Sequence, residues 1–312
     1  MKYFLSCDWG TSNFRLRLID TATRRIAQEV TSDQGIASTH KAWLAANYTE
    51  DARINFYKRV LLDAIQKLQS PLPDSNVPII ISGMASSSIG MKELPYSKLP
   101  FGLDAMNMNT FRIDGDEALP NPMILVSGCC TDTDIMRGEE TILLGCDENE
   151  TEDIVYILPG THSKHIMVSK GVVKTFNTYV TGELFELLVQ GSVLSNSVSK
   201  GMDDVSFSKG VTDALGNNLL QSIFSVRAKH ILEKSLPVAN YQYLSGLLIG
   251  TELKDIKNDS PATIKLVSEY PLLKSYEIAC HVIGIKQVEL IHADEAFING
   301  HLKFIHSIEL SS

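Results

Sequence analysis

The sequence predicts an α/β protein that uses one plan twice. Two strand–turn–strand segments carry that expectation. In Cys7-Asp8-Trp9-Gly10-Thr11-Ser12-Asn13-Phe14-Arg15, the apolar strand Tyr3-Phe4-Leu5 runs into an acid, a glycine and two hydroxyls, and a second strand leaves at once, with Phe14, Leu16 and Leu18 alternating with Arg15 and Arg17. Past the midpoint, a strand over 154–158, the turn Pro159-Gly160-Thr161-His162 and a returning strand over 163–168 repeat that order. Both segments continue into a third strand, over 23–30 and over 172–176, and a helix follows in each half.

In the first half, Ile54, Tyr57, Leu61, Ile65 and Leu68 recur at helical spacing, and Pro71 closes the helix. Residues 77–81 form a continuous apolar run, the pattern of a strand buried on both faces. Residues 83–122 are rich in Gly, Ser, Pro and Met and read as loops; 123–126 is another strand. A helix is expected over 138–145, with Glu139 and Glu140 in its first turn, where acids suit the helix dipole. The acidic run Asp147-Glu148-Asn149-Glu150-Thr151-Glu152-Asp153 reads as a solvated connector, giving domains 1–150 and 151–312. In the second half, Thr181-Gly182-Glu183 opens a helix with Thr181 as its N-cap and Gly191 as its stop. Helices over 218–234, 243–255, 272–283 and 293–306 and strands over 264–267 and 288–291 complete the chain.

The 312 residues suit about two domains, and 44% hydrophobic with 21% charged residues is a globular composition. No stretch approaches the ~20 apolar residues of a membrane span, and no signal peptide is recognised, so a cytoplasmic protein without a membrane partner is expected. Five cysteines without a CxxC pair read as free thiols. A net charge of −9 with no basic cluster argues against nucleic acid as a partner. The sequence is silent on oligomeric state, and a homodimer is compatible with it.

A tight turn that offers backbone N–H groups and hydroxyls is a phosphate cradle. Gly10, Thr11 and Ser12, and again Gly160, Thr161 and His162, are candidates for that role, although an ordinary hairpin with Gly10 at a positive φ explains the first turn as well. Asp8 at the strand end can hold a magnesium ion through water. Phosphoryl transfer to an alcohol further needs a carboxylate near the attacking hydroxyl. Glu139, at a helix start in Met136-Arg137-Gly138-Glu139-Glu140-Thr141, can accept that proton, or can simply cap its helix. Arg137 can clamp a substrate carboxylate with its planar fork, or stand as an ordinary surface arginine. Ser86 and Ser87 lie in a Ser/Gly-rich loop following a buried strand, a usual place to bind substrate hydroxyls and equally a plain connector. There is no GxxxxGK[ST] loop, no GxSxG elbow and no HExxH helix.

Several segments together resemble the 2-dehydro-3-deoxygalactonokinase family, within the sugar kinase, Hsp70 and actin superfamily. They are Asp8 to Arg15, Arg137-Gly138-Glu139-Glu140-Thr141, Leu158-Pro159-Gly160-Thr161-His162-Ser163-Lys164, Thr181-Gly182-Glu183-Leu184, Leu244-Ser245-Gly246-Leu247-Leu248-Ile249-Gly250 and Asp294-Glu295-Ala296-Phe297. The Gly-Met-x-x-Ser loop at 83–90 matches too. The resemblance implies two ribonuclease-H-like domains with a mixed central sheet each, facing across a nucleotide cleft. It implies ATP-dependent phosphorylation of 2-dehydro-3-deoxy-D-galactonate, a keto-deoxy sugar acid, at its 6-hydroxyl in galactonate breakdown, with Mg2+ as cofactor. By the same resemblance Glu139 is the base, Asp8 makes the magnesium–water contact, and Gly10, Thr11, Ser12, Gly160, Thr161 and His162 contact phosphate. Arg137 and Lys164 favour an acidic substrate. Adenine is expected at the turn after 264–267, where Ser268-Glu269-Tyr270-Pro271 lacks the glycines usual in the family; Ser268 is taken as the nucleotide contact there. The alternatives are a kinase of the same fold acting on another sugar or sugar acid, and a nucleotide-driven switch ATPase.

Overall fold

The computed structural model describes residues 1–74, 76–105, 107–146, 152–259 and 263–309. Most of the acidic run expected to connect two domains, 147–151, lies outside the described residues. The chain divides into two compact units: one of Met1–Asn149, Gly171–Lys174 and Asp294–Ser312, the other of Glu150–Lys170 and Thr175–Ala293. The first unit thus takes back the last helix, which a single cut near residue 150 would leave with the second half. Hydrogen bonds from that helix explain why: Asp294 receives Arg15 and Arg17, and His301 bridges Ser6 and Ser82.

The first unit is built on β1 (Tyr3–Trp9), β2 (Phe14–Asp20), β3 (Ile26–Ser32), α1 (Ile36–Ala45), α2 (Arg53–Gln66), β4 (Ile79–Gly83), β5 (Ser97–Lys98), β6 (Phe101–Gly102), β7 (Thr110–Ile113), β8 (Met123–Val126), β9 (Cys129–Cys130), β10 (Ile135–Met136) and α3 (Glu139–Leu144). Its main sheet has the order β3-β2-β1-β4-β8-β7. β1, β2 and β3 form an antiparallel meander, whereas β4 and β8 run parallel to β1. All five residues of β4 are buried, as its unbroken apolar run requires. Trp9, Phe14, Tyr57, Leu61, Ile79 and Ile81 belong to the core between this sheet and α2.

The second unit takes β11 (Asp153–Leu158), β12 (Ser163–Ser169), most of β13 (Val172–Tyr179), α4 (Thr181–Gly191), α5 (Asp204–Gly216), α6 (Leu219–Leu232), α7 (Pro237–Asp259), β14 (Thr263–Ser268), α8 (Leu272–Val282) and β15 (Val288–His292); α9 (Ala293–Glu309) closes the described chain. Its strands follow β15-β14-β11-β12-β13, with β12 antiparallel and β14 parallel to β11. Each unit therefore carries a mixed sheet in which a hairpin beside a central strand is followed by parallel strands on the other side. This is the ribonuclease-H-like order expected for both halves.

Several local readings differ from the structure; the helix expected over 243–255, for one, is α7, Pro237–Asp259. α1 goes unrecognised because only Ile36, Thr39 and Trp43 of it are buried, and α5 is missed although Phe207, Gly210, Val211 and Ala214 line one face of it. The stretch 83–122 holds the short strands β5, β6 and β7, too brief for a period of two to show. β3 starts at Ile26, after a turn in which Arg24 takes a φ of +58°. Thr181 is no N-cap: Val180 stands there without a side-chain cap, and the Thr181 hydroxyl donates to Glu252.

Candidate functional site

In the first unit the candidate residues gather at the carboxyl ends of β1 and β4. Parallel pairing sets Asp8 beside Ser82 and Trp9 beside Gly83, and antiparallel pairing sets Asp8 opposite Arg15. The turn after β1 is anchored from beneath: the Gly10 amide donates to the Asn13 carbonyl at 2.9 Å, and the first amides of α1, from Ile36 and Ala37, donate to the carbonyls of Gly10 and Thr11 at 2.9 and 3.0 Å. Thr11 and Ser12 themselves stand exposed. Burial raises the Asp8 carboxyl above its usual range; the guanidinium groups of Arg15 and Arg17 oppose the shift, and Asp294 and Glu139 add to it. Among the described residues no group of three or more His, Cys, Asp or Glu side chains could hold a metal ion. A magnesium ion would therefore depend on Asp8 together with water and substrate phosphates, a donor set this ion commonly accepts. The desolvated Asp8 carboxylate suits it, because a divalent charge relieves what burial costs.

α3 begins immediately after Gly138, which takes a φ of +102° that only glycine adopts without strain. Gly138 packs on β4's last residue: a Cβ there would meet the Gly83 Cα at 3.5 Å. The next two side chains diverge. Glu139 is partly exposed, and its Oε2 accepts the Arg137 amide at 3.0 Å. Glu140 is fully buried, and its Oε2 accepts the Gly138 amide at 2.7 Å. Burial, with Glu139 adding, pushes the Glu140 carboxyl up to about 8. The Arg137 Nη1 donates to the Ser86 carbonyl at 2.7 Å and to the Ser86 hydroxyl at 2.5 Å, and its guanidinium lies 4.3 Å from the Tyr96 ring centroid. Its Nε is buried without a partner. Ser86 and Ser87 are buried, and Ser87 donates to the Met84 carbonyl at 2.7 Å. Arg137 and Ser86 are thus in direct contact, whereas the Ser87 hydroxyl is taken up within its own turn.

In the second unit the turn 159–162 joins β11 to β12. Thr161 and His162 are exposed. The Glu183 amide of α4 donates to the Thr161 carbonyl at 3.0 Å, and His162 Nε2 pairs with the Glu183 carboxylate at 2.8 Å. Lys164 is buried, and its ammonium donates to the His162 carbonyl at 2.7 Å, bracing the turn. Behind the turn, the buried Glu252 of α7 accepts Ser163 and His165 on Oε1, and Thr181 and Tyr276 on Oε2. One carboxylate so fastens β12, α4 and α8.

Beside this turn opens a cavity of about 560 Å3, wholly within the second unit. Gly160, Thr161 and Thr181 form part of its wall, and Phe185, Tyr241 and Tyr270 give it aromatic sides. Gln242, Ser245 and Ser275 supply polar groups. Ser268 is buried at the end of β14 and is not in the wall; its neighbours Tyr270 and Pro271 are. The wall joins two turns singled out in the sequence, at Gly160-Thr161 and Tyr270-Pro271, to Phe185, Tyr241, Gln242 and Ser275, which the sequence reading did not name; Glu252 and His301 are absent from it as well. A lone buried polar residue in an apolar helix leaves no periodic signal. Glu140 alone carried a trace, as the second acid of a pair at a helix start.

Comparison with known proteins gives the family. Residues 8–304 match the family described as 2-keto-3-deoxy-galactonokinase. The chain is 31% identical over 311 residues to "Probable 2-dehydro-3-deoxygalactonokinase DgoK1" of Rhizobium meliloti (strain 1021), covering 96% of this chain and 95% of the relative. It is 26% identical over 317 residues to 2-dehydro-3-deoxygalactonokinase of Escherichia coli (strain K12), covering 98% of each. Among solved structures it is similar to a protein from Sinorhizobium meliloti described provisionally as a 2-dehydro-3-deoxygalactonokinase, with a TM-score of 0.81, 28% identity and 98% and 97% of the two chains covered. With a family match over nearly the whole chain, this protein belongs to the 2-keto-3-deoxy-galactonokinase family of sugar-acid phosphotransferases.

Proposed function

We propose that the chain transfers the γ-phosphoryl group of ATP to the 6-hydroxyl of 2-dehydro-3-deoxy-D-galactonate, in the cytoplasm, as a step of galactonate breakdown. The observation that carries this reading is the second unit's cavity. It has aromatic sides for a nucleobase, and Gly160 and Thr161 of a phosphate-type turn stand in its wall. The names of the relatives supply the acceptor.

In this reading Gly160, Thr161 and His162 contact phosphate in the second unit, and Gly10, Thr11 and Ser12 do so in the first. The base lies against Tyr270 and Pro271, beside Ser268. Arg137, with Nη1 on Ser86, offers its Nη2 to the substrate carboxylate, and Ser86 lies beside it; the Ser87 hydroxyl and the Lys164 ammonium, both expected on substrate, are instead held by the carbonyls of Met84 and His162 and brace their own turns. Magnesium, when bound through water on Asp8, neutralises charge on the phosphates. Glu139 takes the proton of the 6-hydroxyl as that oxygen bonds to phosphorus and the bond to the β-phosphate oxygen breaks. ADP leaves with the bond's electron pair, and Glu139 returns the proton to water.

Glu139→Gln tests the assignment in a coupled ADP assay with the keto acid and ATP varied. The expected result is a kcat lower by about 10²–10⁴-fold with nucleotide affinity retained. A variant at the wild-type rate would show that Glu139 only caps α3. Turnover of ATP that ignores the keto acid would remove the acceptor.

A further inference from the structure

Five side chains form a continuous polar line through the interior of the first unit: Ser6 on β1, His301 on α9, Ser82 on β4, and Thr141 and Glu140 on α3. Ser6 Oγ lies 2.9 Å from His301 Nδ1, and His301 Nε2 lies 2.9 Å from Ser82 Oγ. Ser82 Oγ lies 2.7 Å from Thr141 Oγ1, which lies 3.3 Å from Glu140 Oε1. None of the five is more than 2% exposed. The line crosses from β1 to α9, from α9 to β4 and from β4 to α3, and α9 also approaches α3 closely: a Cβ on Gly300 would lie 2.0 Å from the Thr141 carbonyl oxygen.

Counting protons gives the line a direction. Each hydroxyl has one hydrogen to donate, and a neutral imidazole has one N–H and one acceptor nitrogen. His301 is neutral, because burial pushes it down to about 3. When Glu140 is ionised it can only accept, so Thr141 donates to it, Ser82 to Thr141, the His301 Nε2–H to Ser82, and Ser6 to Nδ1. When Glu140 carries a proton and donates it to Thr141, every bond reverses, and the imidazole hydrogen moves to Nδ1. The charged and titratable groups facing Glu140 are Glu139 and Arg137 of its own segment and Cys129 of β9, whose thiol burial keeps protonated. The ring nearest His301 is the apolar Phe297, 4.5 Å away.

Such a line is an expensive way to fill a core, since apolar side chains of similar shape are often as stable. Its end point suggests what it does. Glu140 and Thr141 immediately follow Glu139, and Glu140 also holds the Gly138 amide. We propose that the line is a single polarised hydrogen-bond chain, that Glu140 and His301 are positioning residues holding Glu139 in place for proton transfer, and that the His301 tautomer follows the proton on Glu140. This inference rests on the reading of Glu139 as the base.

The test uses the full chain with Glu140→Gln, His301→Ala and His301→Gln, in the kinase assay and by 15N NMR of histidine-labelled protein. Glu140→Gln and His301→Ala should lower kcat by about 10- to 100-fold, the scale of a misplaced reacting group, and leave the KM for ATP within about two-fold. His301→Gln, whose amide offers one acceptor and one donor in place of the ring nitrogens, should recover most of that loss. In the spectra, the signal that disappears in His301→Gln should show the proton on Nε2 at about pH 9.5 and on Nδ1 at about pH 6.5, since Glu140 ionises between them. In Glu140→Gln, where the amide can always donate to Thr141, it should stay on Nδ1 throughout. Wild-type kcat in both Glu140→Gln and His301→Ala overturns the proposal. So does an equal loss in the two His301 variants, or a tautomer indifferent to both pH and Glu140→Gln. Glu139→Gln separates the two readings: if it is inactive while the other variants are normal, only the chain's role fails; if it is fully active, the base assignment fails and positioning falls with it.

Discussion

Glu252 offers the sharpest quantitative test of the second unit. Its carboxylate is buried and accepts four donors, from Ser163, His165, Thr181 and Tyr276. Glu252→Met keeps the length of the side chain and removes every acceptor. A hydrogen bond to a buried charged group is worth about 1.5–3 kcal/mol. If hydroxyl rotation recovers about half of the four, the loss is roughly 3–6 kcal/mol, a large part of a typical domain's ~5–15 kcal/mol. Tyr276→Phe removes one donor and leaves the carboxylate three, so it should cost only about 1–2 kcal/mol. The double variant should cost less than the sum by about 1 kcal/mol or more, because the two groups share one bond. The assay is urea unfolding with two probes. Both tryptophans, Trp9 and Trp43, lie in the first unit, so their fluorescence reports that unit, while far-UV circular dichroism reports both. The loss should appear as an early dichroism transition with the fluorescence midpoint little changed. A Glu252→Met midpoint within about 1 kcal/mol of wild type, or strict additivity with Tyr276→Phe, would refute the account of Glu252 as the common acceptor.

Three further outcomes are expected. The first concerns stability against pH. Glu140 is raised to about 8, so the folded state holds a proton that the unfolded state releases near 4.5, and its contribution is lost as pH climbs through 8. His301 is lowered to about 3, so the unfolded state takes up a proton near 6.5 that the folded state refuses, and stability falls as pH drops from 6.5 towards 3. The two effects nearly cancel between about 4.5 and 6.5, and each has a limiting slope of about 1.4 kcal/mol per pH unit outside that window. Chemical denaturation across pH should find the alkaline fall flattened in Glu140→Gln and the acid fall flattened in His301→Gln. The second concerns Gly300→Ala, which places a methyl group 2.0 Å from the Thr141 carbonyl and should cost about 1–3 kcal/mol in the fluorescence-detected transition. The third concerns Tyr270→Ala, which removes an aromatic wall of the cavity and should raise the KM for ATP about 2- to 10-fold with kcat retained; an unchanged KM would place the base elsewhere.

The legible part of this protein is what periodicity and turn chemistry encode. Val77 to Ile81 reads as a strand because burial on both faces demands an unbroken apolar run, and β4 is buried throughout. The two strand–turn–strand segments read because apolar residues on either side of a Gly-Thr turn mark paired strands, and β1 pairs with β2 and β11 with β12. Arg137 and Ser86 were both named as substrate contacts, yet nothing in a linear reading sets one against the other; that pairing comes from the approach of Gly138 to Gly83. Glu252 and His301 escape notice for the opposite reason. Each is one polar residue within an otherwise apolar helix face, and its meaning lies in donors up to 295 positions distant, as Ser6 is from His301. Thr181 shows how a local rule loses to a distant partner: its hydroxyl answers Glu252 instead of capping its own helix.

Because α9 belongs to the first unit, synthesis and folding run out of step. The ribosome delivers every strand of the second unit before it delivers Asp294 or His301. The later-made half can finish its sheet while the earlier one still waits, with Ser6, Ser82 and Arg17 lacking the partners that α9 brings. Completion of the first unit thus waits on a helix made after every strand of the second.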